Sequence, residues 1–182
     1  VQNRFPDANA QYYREAKGTP FVPRSFADFY QDSLDFGAGL LSLGLEKAEP
    51  VGLLSDNRRE WSVADIGIQA CGSADVPRGR DISDIEISII YGITSCRIIV
   101  AERDVEVNRL VAAKRDLPDL KTVIVMQDEK NVADVSEFSV LSFKEVIELG
   151  KKYRETNPVA IENLVDEGKK EERLQIAEKM LA

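Results

Sequence analysis

The run Pro77–Arg78–Gly79–Arg80 brings two guanidinium groups to either side of a glycine. Arginine binds phosphate bidentately and stays charged across the physiological range, which makes this run the best candidate for anion contact. It directly follows a predicted strand. The competing and plainer reading is a turn with two solvated arginines, and Asp81 and Asp84 nearby damp the local potential. Asn57–Trp61 (N-R-R-E-W) is a second concentration of charge, placed where a strand gives way to a helix N-terminus. Ligands and anions bind there in α/β proteins. Its plainer reading is structural: Asn57 and Glu60 cap the helix in a capping box and Trp61 is largely buried between the helix and the sheet.

Much other chemistry is excluded. Histidine is absent from the 182 residues, which removes Ser–His and Cys–His couples and imidazole metal ligands. Cys71 and Cys96 have no C-x-x-C spacing and read as buried free thiols. Carboxylates are plentiful, yet none pairs with another in a setting that suggests acid–base work, so no catalytic residue and no metal ligand is assigned. G-x-G at Gly37 and Gly39 lies inside a predicted helix and reads as close packing rather than a dinucleotide loop. The net charge of -8 repels nucleic acid and anionic membrane surfaces. No apolar run approaches the roughly 20 residues needed to span a bilayer, and a soluble, cytoplasmic chain is expected.

The elements that must position these residues follow a rhythm. Ala10–Arg14 and Thr19–Pro23 predict an antiparallel hairpin turning at Gly18. Ser25 with Asp28 opens a helix that Gly44 closes, its inner face carrying Phe26, Phe29, Tyr30, Ser33, Gly37, Leu40 and Leu41. Strands follow at Val51–Ser55, Ala74–Pro77, Arg97–Ala101 and Thr122–Met126, each succeeded by one helix. Those helices start at the Asn57/Glu60 pattern, at Ser83 with Glu86, at Asp104, and, after a polar acidic stretch at 127–137, at Ser142 with Glu145. Gly72, Gly92, Pro118 and Gly150 are their predicted ends. Successive βα units of this kind make an α/β, Rossmann-like three-layer domain with a mostly parallel sheet. The expected organisation is an α/β body over residues 1–150, opened by the hairpin, and a helical, partly exposed tail over 151–182.

Several stretches also resemble a known family. S-F-A-D-F-Y at Ser25–Tyr30, D-F-G-A-G-L at Asp35–Leu40 and L-L-S-D-N-R-R-E-W at Leu53–Trp61 are similar to the opening of bacterial long-chain acyl-CoA synthetases of the adenylate-forming superfamily. V-P-R-G at Val76–Gly79, L-P-D-L-K-T-V-I-V-M at Leu117–Met126 and L-S-F-K-E-V-I-E-L-G at Leu141–Gly150 resemble later landmarks of that family in the same order. The resemblance covers roughly Phe21 to Gly168. It implies the N-terminal part of a fatty-acid-CoA ligase, which uses ATP, Mg and CoA to convert a fatty acid to acyl-CoA, AMP and pyrophosphate. It also implies that Arg78, Gly79 and Arg80 lie near the CoA phosphates. The family's Ser/Thr/Gly-rich phosphate loop would follow the stretch matching Asn157–Gly168, where this sequence reads E-E-R-L-Q-I-A-E-K-M-L-A instead. The expected partners are therefore the remainder of the ligase, fatty acid and CoA, with a homodimer open, and the chain alone is expected to be inactive. A truncated homologue serving as a non-catalytic binding or regulatory module is the alternative.

Overall fold

The computed structural model describes residues 4–14, 18–127 and 135–181. Turn residues 15–17 and most of the acidic stretch 127–137 lie outside these; Gly18, at the end of the turn, takes φ +90°. The hairpin is formed by β1 (Asn9–Tyr13) and β2 (Val22–Ser25), antiparallel with Tyr13 opposite Val22. Its second strand begins three residues later than the sequence suggested. Ser25 then caps α1 (Phe26–Ser42), its hydroxyl accepting from Asp28 N at 3.0 Å, and Gly44 leaves the helix at φ +81°.

The main sheet holds β3 (Val51–Leu54), β4 (Asp75–Arg78), β5 (Ile98–Ala101), β6 (Thr122–Val125) and β7 (Ser139–Ser142), parallel throughout and ordered β4-β3-β5-β6-β7. The fifth strand was not expected. Its S-V-L-S run is an edge strand with two apolar residues, too short for a periodic signal, and its pairing to β6 defines it.

The helices α2 (Arg59–Ala70), α3 (Asp84–Ile93), α4 (Asp104–Ala112), α5 (Phe143–Thr156) and α6 (Ala160–Leu181) complete the chain. Leu53, Val100 and Ile124 point into a core shared with α1, α2 and α5, whereas Leu54, Ile99 and Val123 meet α3 and α4. Strand alternation thus builds one apolar layer on each face. Gly52 leaves room for the ring of Tyr91, which would stand 2.9 Å from a β-carbon there.

Three local expectations are corrected. First, α1 is not one-sided, because residues 33–40 are all buried. A β-carbon on Gly37 would lie 2.7 Å from Gly67 O of α2, and one on Gly39 would lie 2.2 Å from Val146 O of α5, so α1 is held backbone to backbone on two sides. Second, Gly150 does not end a helix: α5 runs through it to Thr156, and the residue is small because α1 presses on it. The boundary placed at residue 150 therefore falls inside α5. Third, the Asn57/Glu60 capping box does not form. The helix begins at Arg59 with Arg58 as an N-cap whose side chain makes no capping bond to the backbone, and Glu60 accepts from Arg58 Nε at 2.6 Å and Arg59 Nε at 3.0 Å. Two adjacent guanidiniums are stronger partners for that carboxylate than a backbone N–H. The boxes at Ser83/Glu86 and Ser142/Glu145 do form.

Candidate functional site

The chain steps from β3 outward to β4 and then back across to β5, so the sheet order reverses between β3 and β5. Ligands of open α/β sheets bind in the crevice outside the carboxyl ends of the strands at such a point. The residues arriving there are Ser55–Arg58 after β3, Gly79–Ile82 after β4 and Glu102 after β5.

These loops are joined by charge. Glu102 Oε2 accepts from Asp56 N at 2.9 Å and Ser55 Oγ at 3.2 Å, and forms an ion pair with Arg80, whose Nε lies 3.1 Å away. Asp56 accepts from Arg80 N at 3.1 Å and Arg80 Nε at 2.8 Å. The backbone N–H of Arg80 and then its guanidinium hold the Asp56 carboxyl below its usual range, while Asp56 in turn raises Arg80. From α4, Arg109 closes the loop by donating to Asp84 Oδ1 at 2.6 Å, to Arg80 O at 3.0 Å and to Ile82 O. Behind them the buried Glu106 carboxyl is pushed up by desolvation.

Arg78, Gly79 and Arg80 are therefore close in chain but differ in what they touch. Arg80 is clamped between Asp56 and Glu102. Arg78 is exposed, donates to its neighbour Pro77 O at 2.6 Å, and has no carboxylate within ion-pair distance among the described residues. Arg58 and Arg59 are both engaged with Glu60, and Arg59 also lies over the Tyr13 ring at 4.7 Å. Although burial alone would raise Glu60, the bond and charge of Arg58, followed by the charge of Arg59, hold it low.

Two openings flank Asp56. One, of about 930 Å³, lies between the hairpin and the sheet edge, with Tyr12, Tyr13 and Phe21 on one side and Asp56, Arg58 and Glu102 on the other. The second, of about 460 Å³, is lined by Ser55, Asn57, Trp61, Pro77, Arg78 and Gly79. Trp61, in the first turn of α2, is half-buried there rather than enclosed, packed against the margin of the core. Ala64, Ile68 and Cys71 of the same helix are buried as expected, and burial pushes the Cys71 thiol up to about 12, which leaves it unreactive.

Sequence reasoning missed Asp56, Glu102 and Arg109. The first two carried a readable signal, since both directly follow strands that meet at the reversal of strand order. Arg109 carried none, because its partners lie 25 to 29 residues away.

Comparison with known proteins decides the family. Residues 1–166 match the model of the AMP-binding enzyme family. This chain belongs to that family. A chloroplast long-chain-fatty-acid–[acyl-carrier-protein] ligase of Arabidopsis thaliana is 31% identical over 137 residues, which are 74% of this chain and 19% of that protein. A long-chain-fatty-acid–CoA ligase of Xenopus laevis is 28% identical over 137 residues, covering 74% of this chain and 18% of its own length. The chain thus spans about a fifth of the length of the curated relatives it matches. Among solved structures, an anthranilate CoA ligase in complex with anthranoyl-AMP superposes with a TM-score of 0.61 at 21% identity, over 70% of this chain and 23% of that one. That likeness shows the fold alone, the same α/β arrangement over the part of the chain it covers. No helix among the described residues is long and apolar enough to cross a membrane.

Proposed function

We propose that residues 1–182 form the N-terminal Rossmann-like part of a ligase that activates a long-chain fatty acid as its acyl-adenylate and passes it to the thiol of coenzyme A. The observation that carries this reading is the family match over residues 1–166, joined to relatives named as fatty-acid ligases. The α/β body runs through α5 to Thr156, and the helical extension that begins with α6 is tied back to it by Arg154, which donates to Asp35 Oδ1 at 2.5 Å and to Glu162 Oε1 at 2.7 Å. The cytoplasm, where thiols such as Cys71 and Cys96 stay reduced, is the compartment this reading assigns.

The residues present do not fit magnesium-ATP. The sequence contains no Ser/Thr/Gly-rich loop, and among the described residues no group of three or more acidic, Cys or His side chains is placed to hold a metal. The chain alone is on this reading a scaffold without adenylating activity, and ATP, Mg and the fatty acid are handled with the remainder of the ligase.

One edge of the CoA site does fit. Arg78 offers a guanidinium beside Gly79 on an open recess, as a phosphate contact requires. Arg80 supports it by fixing the loop through Asp56 and Glu102. The reading is tested by following fatty-acid- and CoA-dependent AMP release from a polypeptide that carries residues 1–182 within a complete family ligase. Release that rises with long-chain fatty acids supports it; release driven equally well by unrelated carboxylic acids contradicts it.

A further inference from the structure

A half-enclosed cleft of about 140 Å³ lies between the end of β2, the start of α2, the start of α5 and the residue after β6. Its floor is apolar, made by Val63, Met126, Phe143 and Ile147, which belong to or pack against the core shared by α1, α2 and α5. Its rim is cationic. Arg24, Arg59 and Lys144 reach it from three different elements, β2, α2 and α5. An apolar floor beneath a cationic rim calls for a ligand that is aliphatic at one end and anionic at the other.

Arg24 is the group in this cleft whose bonding is incomplete. It is only 9% exposed, and its contacts run through Nη2, an ion pair with Asp32 and a long donation of 3.4 Å to Asp28 O. Nε and Nη1 have no partner among the described residues. Burial, and after it the charge of Arg59, hold this guanidinium below its usual range, so an anion beside it is stabilising. The carboxylates that line the cleft are already engaged: Asp32 pairs with Arg24, and Glu60 is shared by Arg58 and Arg59. Asp28 is bonded to Ser25 in the cap of α1. Lys144, at the rim, forms no hydrogen bond or ion pair among the described residues.

We propose that this cleft binds a short-chain monocarboxylate, with its carboxylate on Arg24 and Lys144 and its aliphatic tail on Val63, Met126 and Ile147. The volume is the share of roughly four to five waters, room for a carboxylate with about three carbons behind it. The positive ends of α2 and α5 add to the attraction, since Arg59 and Lys144 stand in their first turns. Inorganic phosphate would leave the apolar floor unused, and an alcohol would bring no charge to the guanidinium. The cleft shares no lining residue with the recess at Arg78, so its ligand is independent of the coenzyme A contact.

Met126 lines the cleft and is one of the chain's 2 methionines, so NMR of isotope-labelled methionine methyls gives one reporter in the site and one reference, Met180 of α6. Butanoate titrated into the chain at neutral pH is expected to move the Met126 signal saturably, with a midpoint in the millimolar range, and to leave Met180 in place. Butanol and inorganic phosphate are expected to bind at least about tenfold more weakly. Ile147→Phe, which fills the cleft, is expected to abolish the butanoate response while the urea midpoint holds or rises. Lys144→Met, at an exposed position, is expected to weaken butanoate about threefold. Arg24→Met is expected to abolish the response as well; if that buried change unfolds the chain, the other two variants decide. The proposal is overturned if Met126 does not respond up to about 100 mM butanoate, or if butanol or phosphate matches butanoate. It is equally overturned if folded Ile147→Phe or Lys144→Met binds butanoate like the parent, or if Met126 and Met180 respond alike.

Discussion

The carbonyl oxygen of Asp35 occupies the place where a side chain on Gly150 would begin: a β-carbon there would lie 1.7 Å from it. The helices α1 and α5 therefore meet through their backbones, and the contact is fixed by the Arg154–Asp35 pair one turn further along α5. With backbone rather than a flexible side chain in the way, Gly150→Ala must push the two helices apart. The expected cost is about 1 to 3 kcal/mol in urea unfolding, the range for overpacking. Gly168→Ala is the control, because nothing lies within 4 Å of its β-carbon position. That change, in the interior of α6, is expected to be neutral or to stabilise by up to about 1 kcal/mol through helix propensity. Equal effects at the two sites would contradict the packing described.

Glu49 and Arg97 join the starts of two neighbouring strands. Arg97 donates from Nε to Glu49 Oε1 at 2.6 Å and from Nη2 to Oε2 at 2.9 Å, and it also reaches Gly44 O at 2.5 Å. This hydrogen bond, more than any other influence, holds the Glu49 carboxyl below its usual range, which for the unfolded chain is near 4.5. In the window below that value the unfolded state binds more protons than the folded one, so stability falls as pH falls through it. Glu49→Gln is expected to flatten this acid limb of a plot of urea midpoint against pH. Arg97→Met is expected to cost about 1 to 3 kcal/mol at neutral pH, where the carboxylate loses a charge-assisted partner. An unchanged acid limb in Glu49→Gln would show that the pair is not a source of the pH dependence.

Trp61 shares the open recess with Arg78, so its fluorescence reports on that recess. The half-buried indole is expected to emit between the extremes of a core and a solvent tryptophan and to be quenched by acrylamide. Titrating coenzyme A into the chain is expected to change the emission, with a weaker response in Arg78→Ala. In a complete ligase, Arg78→Ala is expected to raise the Michaelis constant for coenzyme A by about tenfold or more, corresponding to the loss of about 1.5 to 3 kcal/mol from one charge-assisted contact. An unchanged constant would remove Arg78 from the site.

What could be read in advance divides by range. The caps at Ser25, Ser83 and Ser142 involve partners three residues away, and all three stand as the pattern implied. The apolar runs of β3, β5 and β6 were visible because both sheet faces are buried. Gly37 and Gly39 read correctly as close packing, yet Gly150 read as a helix stop, since a glycine needed for approach and one needed for a turn look alike in one dimension. The exposure of Ile85 and Ile89 was equally hidden, because an apolar residue in a helix does not announce which face the sheet covers. At the site, Arg78 to Arg80 were legible as a charged loop after a strand. The division of labour between them was not, because it depends on Asp56 and Glu102, which lie 24 and 22 residues away in the sequence and arrive only through the parallel sheet.

The central claim is that this segment supplies scaffold to an acyl-adenylate-forming ligase without itself forming the adenylate. Adenylation requires donors fixed around the triphosphate and around the charge that develops as pyrophosphate leaves, and such electrostatic stabilisation usually dominates transfer at phosphorus. The most direct measurement is fatty-acid-dependent exchange of labelled pyrophosphate into ATP, run side by side on residues 1–182 and on a complete ligase of the family carrying them. Exchange by the complete enzyme, abolished when fatty acid is omitted, with none from residues 1–182 above the no-enzyme control, is the predicted result. Exchange by residues 1–182 alone, or silence from a well-folded complete enzyme offered long-chain fatty acids, would contradict it.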